Sequence, residues 1–319
     1  MMLRCKLSGF LVVAAVLLMN SVQALELDDS PNPQYPVLIL DDQNHIDLPN
    51  HYRSSLTAFP ASITPQPSRL GLETLKASGS AEFNKQNFSQ IINHIGDHPI
   101  IFVDLRKESH GFLNEIPISW YGFQNWENKD RTPKEVDTLE KKLLQRLNNK
   151  KQIIAYQKKS VEEKDTFIPD LISYNQVLTE QQFVKNLNSQ YKRFYILDHA
   201  PPEIDQIDSF VQFVEKTPEN TWLHFHCRTG KGRTTTFLVL YDIIRNAKQV
   251  KFNDIIKRHA LIGGENILET TKNKLWKVML KKRKSHLIEA FYQYVTDPNG
   301  YRMNSFSAWL EENKPLESS

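Results

Sequence analysis

Residues 222–235 read WLHFHCRTGKGRTT, and the order of residue types in this stretch decides the fold class. The run 222–225 is apolar and aromatic and predicts a strand, a turn with two glycines follows it, and 234–245 predicts a helix. Upstream, 194–197 predicts another strand and 204–214 an amphipathic helix. A chain that alternates strand, helix, strand, loop and helix is expected to form an α/β fold.

The rest of the chain carries weaker signals. Residues 25–80 are rich in Pro, Ser and Asn and predict an irregular lead-in with short strands. Segment 151–191 mixes apolar runs with charged runs and predicts an insertion that contains strands. The remaining predicted elements are a strand at 98–105 and helices at 134–147, 275–294 and 305–312.

The composition is that of an ordinary globular protein. The chain has 319 residues, of which 40% are hydrophobic and 24% charged, and this excludes a long disordered or fibrous protein. Its 40 basic and 37 acidic residues leave a net charge of only +3, so no global charge favours nucleic acid as a partner. The mean hydropathy of −0.49 argues against a membrane-spanning protein.

The N-terminus has the pattern of a secretory signal peptide. Arg4 and Lys6 precede an apolar block at 10–19, and the Val-Gln-Ala sequence at 22–24 supplies the small residues of a cleavage site. We therefore predict a signal peptide over 1–24 and a secreted or periplasmic location. The alternative is that the apolar block forms a buried helix of the fold.

Two cysteines are present, Cys5 and Cys227, and the first lies in the predicted signal peptide. The mature chain would then hold a single thiol and no intramolecular disulfide. Because exported proteins usually pair or lose their cysteines, the retention of Cys227 calls for a chemical reason.

The position of Cys227 between a predicted strand and a predicted helix supplies that reason. A helix N-terminus carries partial positive charge, and a glycine-containing loop turns further N–H groups inward to bind an anion, which favours the thiolate form of the cysteine. Five residues separate Cys227 from Arg233, so the loop can surround one phosphoryl group while the planar guanidinium binds two of its oxygens. The predicted phosphate cradle consists of Arg228, Thr229, Gly230, Lys231 and Gly232.

These features predict covalent catalysis without a metal ion or cofactor. The thiolate attacks phosphorus to form a phosphocysteine, while the loop amides and Arg233 stabilise the phosphoryl oxygens. The Thr234 hydroxyl is expected to donate a hydrogen bond to the sulfur and to stabilise it as the leaving group of the second step.

Two other functions of the loop are less consistent with its residues. The nucleotide-binding pattern G-x-x-x-x-G-K-[ST] does not match, because Lys231 lies between two glycines. A zinc site made of His224, His226 and Cys227 lacks a second cluster of ligands, and neighbouring strand residues point to opposite faces. We predict instead that His226 is a core histidine that orients the loop.

A phosphatase of this kind needs an acid that protonates the leaving alkoxide. Asp198 is the candidate, because it follows the predicted strand 194–197 and sites form at the carboxyl ends of neighbouring strands. The alternative role for Asp198 is that of a turn residue. Asp205 and Asp208 lie in the helical pattern that follows and are expected to face solvent or to cap the helix.

The sequence resembles the cysteine-dependent protein-tyrosine-phosphatase superfamily and, within it, the bacterial protein-tyrosine-phosphatase-like phytases, which remove phosphates from myo-inositol hexakisphosphate. The C-x5-R pattern at 227–233 indicates the superfamily, and the co-occurrence of further motifs indicates the phytases. These motifs are HYRS at 51–54, VDLRKESHGF at 103–112, SWY at 119–121, DH at 198–199, WLHFHC at 222–227 and Trp309.

The resemblance implies a fold over residues 25–319. This fold is a protein-tyrosine-phosphatase-like core, in which a mixed sheet is flanked by helices, together with a small partial β-barrel. The barrel is expected to be built from the lead-in 25–80 and parts of 113–191.

The resemblance also implies roles for individual residues. Cys227 is implied as the nucleophile, Arg233 as the phosphate clamp and Asp198 as the general acid. The residues implied to contact the substrate are Arg53, His199, Lys277, Lys281 and Lys284, with Lys158 and Lys159 at the entrance. The spacing i, i+4, i+7 places the three lysines of the first group on one helix face, and the alternative is that this face is only a solvated basic surface.

One departure from the family bears on the substrate. Family loops often carry an acidic residue after the cysteine, whereas here Arg228 and Lys231 add two positive charges, as in phosphatases that act on inositol lipids. Extra cations suit a ligand with several phosphates better than a phosphotyrosine peptide, since each phosphate can meet a cation.

Three functions are therefore considered. The first is a secreted, metal-independent phosphatase of myo-inositol polyphosphates, including phytate. The second is a phosphoinositide or phosphotyrosine phosphatase that acts on host substrates, with a phosphoinositide membrane surface as a partner. The third is a non-catalytic phosphate-binding module, against which the presence of Cys227, Asp198 and Arg233 together argues. No obligate protein partner is predicted.

Overall fold

The structure is a computed structural model that describes residues 36–41, 46–161, 164–269 and 274–313, so that the predicted signal peptide lies outside the described residues. Within these ranges, no helix is both long enough and apolar enough to cross a membrane. The strands are β1 (Val37–Leu40), β2 (Arg53–Ser54), β3 (Ala77–Ser80), β4 (Ile100–Asp104), β5 (His110–Leu113), β6 (Ile116–Tyr121), β7 (Gln152–Val161), β8 (Lys164–Ser173), β9 (Val177–Leu178), β10 (Gln190–Arg193) and β11 (Trp222–His226). The α-helices are α1 (Lys85–Ile95), α2 (Pro133–Asn148), α3 (Glu180–Asn186), α4 (Ile204–Lys216), α5 (Gly232–Asn246), α6 (Phe252–Leu261), α7 (Leu275–Thr296) and α8 (Phe306–Asn313).

A five-stranded sheet carries the predicted site. Its order is β10-β4-β11-β3-β2, with β10, β4, β11 and β3 parallel and the edge strand β2 antiparallel. Every residue of β4 and β11 is buried, as expected for parallel strands that are covered on both faces. Their register pairs His226 with Asp104, so the two strands end together. The loops 105–109 and 227–231 therefore begin at the same edge of the sheet.

Helices cover both faces of this sheet. Side chains of β4 alternate between them: Val103 belongs to a core formed with α4, α5, α6 and α7, whereas Phe102 belongs to a core formed with α1 and α3. The helix α5 is central, because residues 233–244 are all buried. The predicted α/β fold with a mixed sheet flanked by helices is thus confirmed.

A six-stranded sheet of order β8-β7-β1-β6-β5-β9 forms the second part of the structure. Trp120 and Leu38 pack there against Leu144 of α2. The lead-in 25–80 divides between the sheets, since β1 joins this one while β2 and β3 join the five-stranded sheet. The strand β3 has the sequence ASGS, which has no large apolar residue to mark it as a buried strand. The partial barrel stays a prediction.

The predicted strand at 194–197 is wrong, because the strand beside β4 is β10, four residues earlier. In the register of this pair Arg193 lies opposite Asp104, the last residue of β4, so the chain after Arg193 has no further strand to pair with. Phe194 and Ile196 are nevertheless buried while Tyr195 and Leu197 are less so. The apolar alternation thus reports burial of an extended segment rather than strand pairing.

The contact between β3 and α5 depends on a glycine. A Cβ placed on Gly79 would stand 2.5 Å from Thr234 Cγ2 and 3.0 Å from Leu238 Cδ1. The start of α5 can therefore lie this close to the sheet because residue 79 has no side chain.

The variant Gly79→Ala is expected to lower the free energy of unfolding by about 1–3 kcal/mol, because the added methyl group overpacks this contact. Thr234→Ser removes the nearest methyl group and keeps the hydroxyl, so the double variant should be more stable than the two single effects predict. Urea denaturation of the four proteins measures this coupling. A cycle with purely additive effects would contradict the packing argument.

Candidate active site

The loop 227–231 joins the end of β11 to the start of α5, so its amides lie at a helix N-terminus. Gly230 adopts φ +71°, and a Cβ there would stand 2.3 Å from the backbone nitrogen of Ala81. Both the conformation and the contact require glycine at this position. The loop is thus packed directly on the chain that leaves β3.

Cys227 lies at the start of this loop, and only 1% of its surface is exposed. Its Sγ accepts a hydrogen bond of 3.2 Å from the Thr234 Oγ1 in the first turn of α5. The sulfur and the hydroxyl are therefore brought together at the N-terminus of α5, as the sequence predicts.

Arg233 is buried beside the loop and is held by two-point contact with a carboxylate. Its two terminal nitrogens donate to the Glu108 carboxylate at 2.6 and 2.9 Å, and one also lies 3.3 Å from Asp198 Oδ1. Its Nε is buried and has no hydrogen-bond partner among the described residues. This N–H is therefore left to donate to an oxyanion bound in the loop.

Glu108 is a functional residue that sequence reasoning missed. It lies in the loop after β4, fully buried, and also accepts a hydrogen bond of 3.0 Å from Arg106 Nε. Burial alone would raise its pKa, but the charges of Arg233 and Arg106 outweigh burial and hold the pKa well below the usual range. The signal was present in the sequence as an acid four residues beyond the end of a buried strand.

Asp198 lies beside Arg233, with its Oδ1 3.3 Å from the guanidinium. Its Oδ2 accepts a hydrogen bond of 3.2 Å from Asn125, and its carbonyl accepts one of 2.8 Å from the indole of Trp126. Burial alone would raise the pKa of Asp198, but the nearby Arg233 guanidinium outweighs burial and lowers it. Asn125 and Trp126 were not identified from the sequence, because they lie about 70 positions away in the chain.

His199 follows Asp198 in a left-handed conformation, with φ +64°. Its ring meets the edge of Trp276 at 5.5 Å between centroids. Burial, together with the charge of Lys277, lowers the pKa of His199 despite the neighbouring Asp198. The structure therefore places this histidine between the aspartate and the start of α7.

Arg53 is buried against the loop, and its implied contact with the substrate stays a prediction. It is 2% exposed, and its guanidinium donates to the carbonyls of His51 and Gly230 and to the hydroxyl of Thr235, at 2.7–2.9 Å. These contacts attach the buried guanidinium to the backbone of the loop and to the first turn of α5. In this structure Arg53 braces the phosphate cradle.

Arg228 was expected to add a free positive charge to the cradle, but its guanidinium is paired with a carboxylate. Its Nε donates to Asp41 Oδ1 at 2.7 Å, and its guanidinium lies 6.0 Å from the Tyr121 ring centroid. Asp41 is itself fully buried and also pairs with Arg106 at 3.0 Å. The positive charge of Arg228 is therefore balanced, and its pairing partner, 187 positions earlier, could not be read from the loop sequence.

The remaining loop residues lie at the surface or at the start of α5, and their role as a phosphate cradle stays a prediction. Lys231 and Thr229 are exposed, and Gly232 begins α5. Lys231 thus presents a cation at the surface of the loop.

The three lysines of α7 differ in their surroundings. Lys284 is 7% exposed, and its Nζ lies 3.6 Å from the position of a Cβ on Gly232, next to a Glu265 oxygen at 3.4 Å from the same position. Burial lowers the pKa of Lys284, which the charge of Glu265 opposes. Lys277 lies over the ring of Trp276, and Lys281 is partly exposed.

The predicted entrance residues are described only in part. Lys158 Nζ lies 4.6 Å from the centroid of the Tyr121 ring, the same ring that Arg228 approaches. The side chain of Lys159 lies outside the described part of the structure.

A buried cluster of acids and histidines lies behind the loop. Two triads in the described chain are compact enough to hold a metal ion, and they share Glu180: Glu82, Glu180 and His226, and Asp104, His110 and Glu180. Every member is buried, and the triads are internally paired, with His226 Nε2 2.8 Å and His110 Nε2 2.9 Å from the Glu180 carboxylate. Each histidine thus lies within ion-pair distance of the shared carboxylate, and His226 lies in the core as predicted.

The chain is similar to known phosphatases in sequence and in structure. The family model PTP-like phytase, described by inositol hexakisphosphate, matches residues 103–245. A PTP-like phytase from Bdellovibrio bacteriovorus is 31% identical, with a TM-score of 0.67 over 88% of this chain and 97% of that chain. The PTP-like myo-inositol phosphatase from Mitsuokella multacida, solved with myo-inositol-(1,3,4,5)-tetrakisphosphate, is 31% identical, with a TM-score of 0.84 over 91% of this chain and 50% of that chain.

A further relative is the effector protein hopD2 of Pseudomonas syringae pv. tomato. It is 26% identical over 240 residues, which are 73% of this chain and 51% of hopD2. This chain thus spans about half the length of hopD2 and of the Mitsuokella protein.

The variant Glu108→Gln is expected to lower kcat/KM for p-nitrophenyl phosphate by about 100-fold, because the guanidinium of Arg233 loses the contact that orients it. The free energy of unfolding should fall by about 3–5 kcal/mol, since buried arginine charges lose their partner. Steady-state kinetics and urea denaturation measure the two effects. Glu115→Gln is the control, because Glu115 pairs only at the surface with Lys85.

If the glutamine variant does not fold, Glu108→Asp distinguishes the effect of the carboxylate charge from the effect of orienting Arg233. This variant keeps the charge but shortens the side chain, so it should recover stability more than activity. Full activity in either variant would show that Glu108 does not position Arg233.

Proposed function

Because this chain belongs to the family of protein-tyrosine-phosphatase-like phytases, as its motifs predicted, we propose that it hydrolyses phosphomonoesters of myo-inositol polyphosphates through a phosphocysteine. The observation that carries the proposal is the arrangement around one sulfur. Cys227 Sγ accepts from Thr234 at the N-terminus of α5, while Glu108 fixes Arg233 and Arg233 reaches Asp198. Nucleophile, clamp and acid thus lie around the same loop.

In the first step, a substrate phosphoryl group binds to the loop amides and to Arg233 Nε. The thiolate of Cys227 attacks phosphorus, so that an S–P bond forms as the bond from phosphorus to the inositol oxygen breaks. Asp198 gives its proton to that oxygen, because an alkoxide is a poor leaving group. The fixed amides and guanidinium stabilise charge on the phosphoryl oxygens.

In the second step, water attacks the phosphocysteine and the S–P bond breaks. The Asp198 carboxylate accepts a proton from the water, and the Thr234 hydroxyl stabilises the departing thiolate through its hydrogen bond. Inorganic phosphate then leaves, and the site returns to its starting state.

The charges beside the loop support a substrate with several phosphates. Lys231 is exposed on the loop, Lys284 lies against its last glycine, and Lys277 stands near His199. A monophosphorylated substrate has no group to pair with these cations, whereas each further phosphate on an inositol ring can do so. The Mitsuokella relative was solved with an inositol tetrakisphosphate, which supports the same substrate class.

Export belongs to the proposal as well. The predicted signal peptide at 1–24 would send the enzyme to the periplasm or beyond. N-terminal sequencing of the protein recovered from the periplasm or medium tests this step, and a mature chain that still begins at Met1 would contradict it.

The experiment that tests the proposed function is a substrate panel. Inositol hexakisphosphate, p-nitrophenyl phosphate and a phosphotyrosine peptide are compared in the presence of a chelator, with Cys227→Ser as the inactive control. We expect the highest kcat/KM for the inositol phosphate and no turnover by the serine variant. Preference for the phosphotyrosine peptide would favour a host-directed role, which the relationship to the effector hopD2 suggests as the second candidate.

The pH profile is expected to report Asp198. A general acid must be protonated in the free enzyme, so kcat/KM falls as the pH rises through its pKa. Because Arg233 lowers the pKa of Asp198, this descending limb should lie in the acidic range. Asp198→Asn should remove the limb and lower kcat on inositol hexakisphosphate by about 100-fold or more.

The effect of Asp198→Asn should be smaller for p-nitrophenyl phosphate, because nitrophenolate leaves with little need of a proton. Asp205→Asn is the matched control, since Asp205 lies in the first turn of α4 and its Oδ2 accepts from Gln206. An asparagine variant at 198 that kept the wild-type descending limb would assign the acid to another group.

A further inference from the structure

The first half of α7 has an unusual composition. Residues 274–284 read KLWKVMLKKRK, a run of six basic and five apolar residues with no acidic or uncharged polar residue. The proposed chemistry uses lysines of this segment, but it gives no role to its apolar residues.

Two of the five apolar residues of this half-helix, Leu275 and Met279, are exposed. Leu275 is 76% exposed and Met279 is 50% exposed, whereas Leu287 and Phe291, in the second half of the same helix, belong to the core. The helix therefore leaves the core over its first turns. Exposed apolar side chains that lie together on one face, unlike single scattered ones, mark a candidate interaction surface.

The same half-helix presents two different faces. Lys277, Lys281 and Lys284 share one face by their spacing, and the last of them lies against the loop. Leu275 and Met279, one turn apart, share another face, on which the exposed Lys282 and Arg283 follow. The second face is therefore not occupied by the site.

Trp276 joins the start of α7 to the catalytic loops. Trp276 meets the Trp126 ring at 5.5 Å, and Trp126 donates to the carbonyl of Asp198. We name Leu275, Met279, Lys282 and Arg283 together the rim surface.

We propose that the rim surface docks the enzyme on a membrane that carries anionic lipids. An interfacial helix needs apolar side chains to insert among the lipids and basic side chains to meet their headgroups, and this segment offers both without an opposing acid. A soluble inositol phosphate has no apolar part that would require exposed leucine and methionine. The charge of the segment thus matches a lipid surface of negative charge.

Docking has a consequence for the substrate, and this consequence rests on the proposed function. Because α7 carries the rim surface on one face and Lys284 against the start of α5 on another, membrane binding would hold the loop one helix diameter, about 10 Å, from the phosphorylated headgroups. The enzyme would then act on lipid-borne inositol phosphates as well as soluble ones, with a gain from the surface concentration of the substrate.

The test is sedimentation of the full chain with vesicles of phosphatidylcholine alone or with about 30% phosphatidylserine. We expect binding to the anionic vesicles to be at least about tenfold tighter and to weaken with salt. The double variants Leu275→Ser/Met279→Ser and Lys282→Glu/Arg283→Glu should each reduce it by about tenfold or more. Leu171→Ser is the matched control, because Leu171 is 62% exposed on β8, outside the rim surface.

Each variant is also assayed on soluble inositol hexakisphosphate, where activity should stay within about twofold of the wild type because these side chains do not contact the loop. The proposal would be overturned if the wild type binds anionic and neutral vesicles equally, or if the serine variant binds anionic vesicles as tightly as the wild type. A change from dimer to monomer in the serine variant by analytical ultracentrifugation would also overturn it, since the surface would then be a contact between copies. If the wild type binds anionic vesicles but does not hydrolyse soluble inositol hexakisphosphate, the proposed function is refuted and the docking proposal stands.

Discussion

The ion pair between Arg233 and Glu108 is the contact on which the site depends. A buried guanidinium is tolerated only when a carboxylate meets it with good geometry, and here two short hydrogen bonds do so. The same carboxylate also binds Arg106, which in turn pairs with Glu82 and Asp41. Acids that follow β1, β3 and β4 therefore fix the arginines around the loop.

A second buried pair acts on the residue before the nucleophile. Burial alone would lower the pKa of His226, but the Glu180 carboxylate outweighs it and raises the pKa to about 9. Because the ordinary value is about 6.5, the folded protein binds this proton more tightly than the unfolded chain. The resulting stabilisation is complete below about pH 6.5 and is lost as the pH rises through about 9. At neutral pH, the strand that presents Cys227 is thus held by charge as well as by packing.

Local sequence was enough to locate the loop, because strand, turn and helix follow one another without interruption from 222 to 245. Local sequence also indicated that Asp198 lies in the site, although the strand predicted before it is four residues too late. It could not supply Glu108 as the partner of Arg233, Asp41 as the partner of Arg228, or the contact of Arg53 with Gly230. Each of these pairings joins segments more than 100 positions apart. The sequence shows which side chains are charged. The topology of the fold decides which of these charges pair with one another.

The pairing of charges determines how much positive charge the loop offers to a substrate. From composition, Arg228 and Lys231 count equally as added charge, yet the structure neutralises the first with Asp41 and leaves the second exposed. The charge available to a second phosphate therefore comes from Lys231 and from the α7 lysines, on the side of the loop that adjoins α7. Since the uncovered apolar residues belong to the same half-helix, the element that would select polyphosphorylated substrates is also the one that would meet a membrane. A single segment thereby couples what the enzyme binds to where it binds.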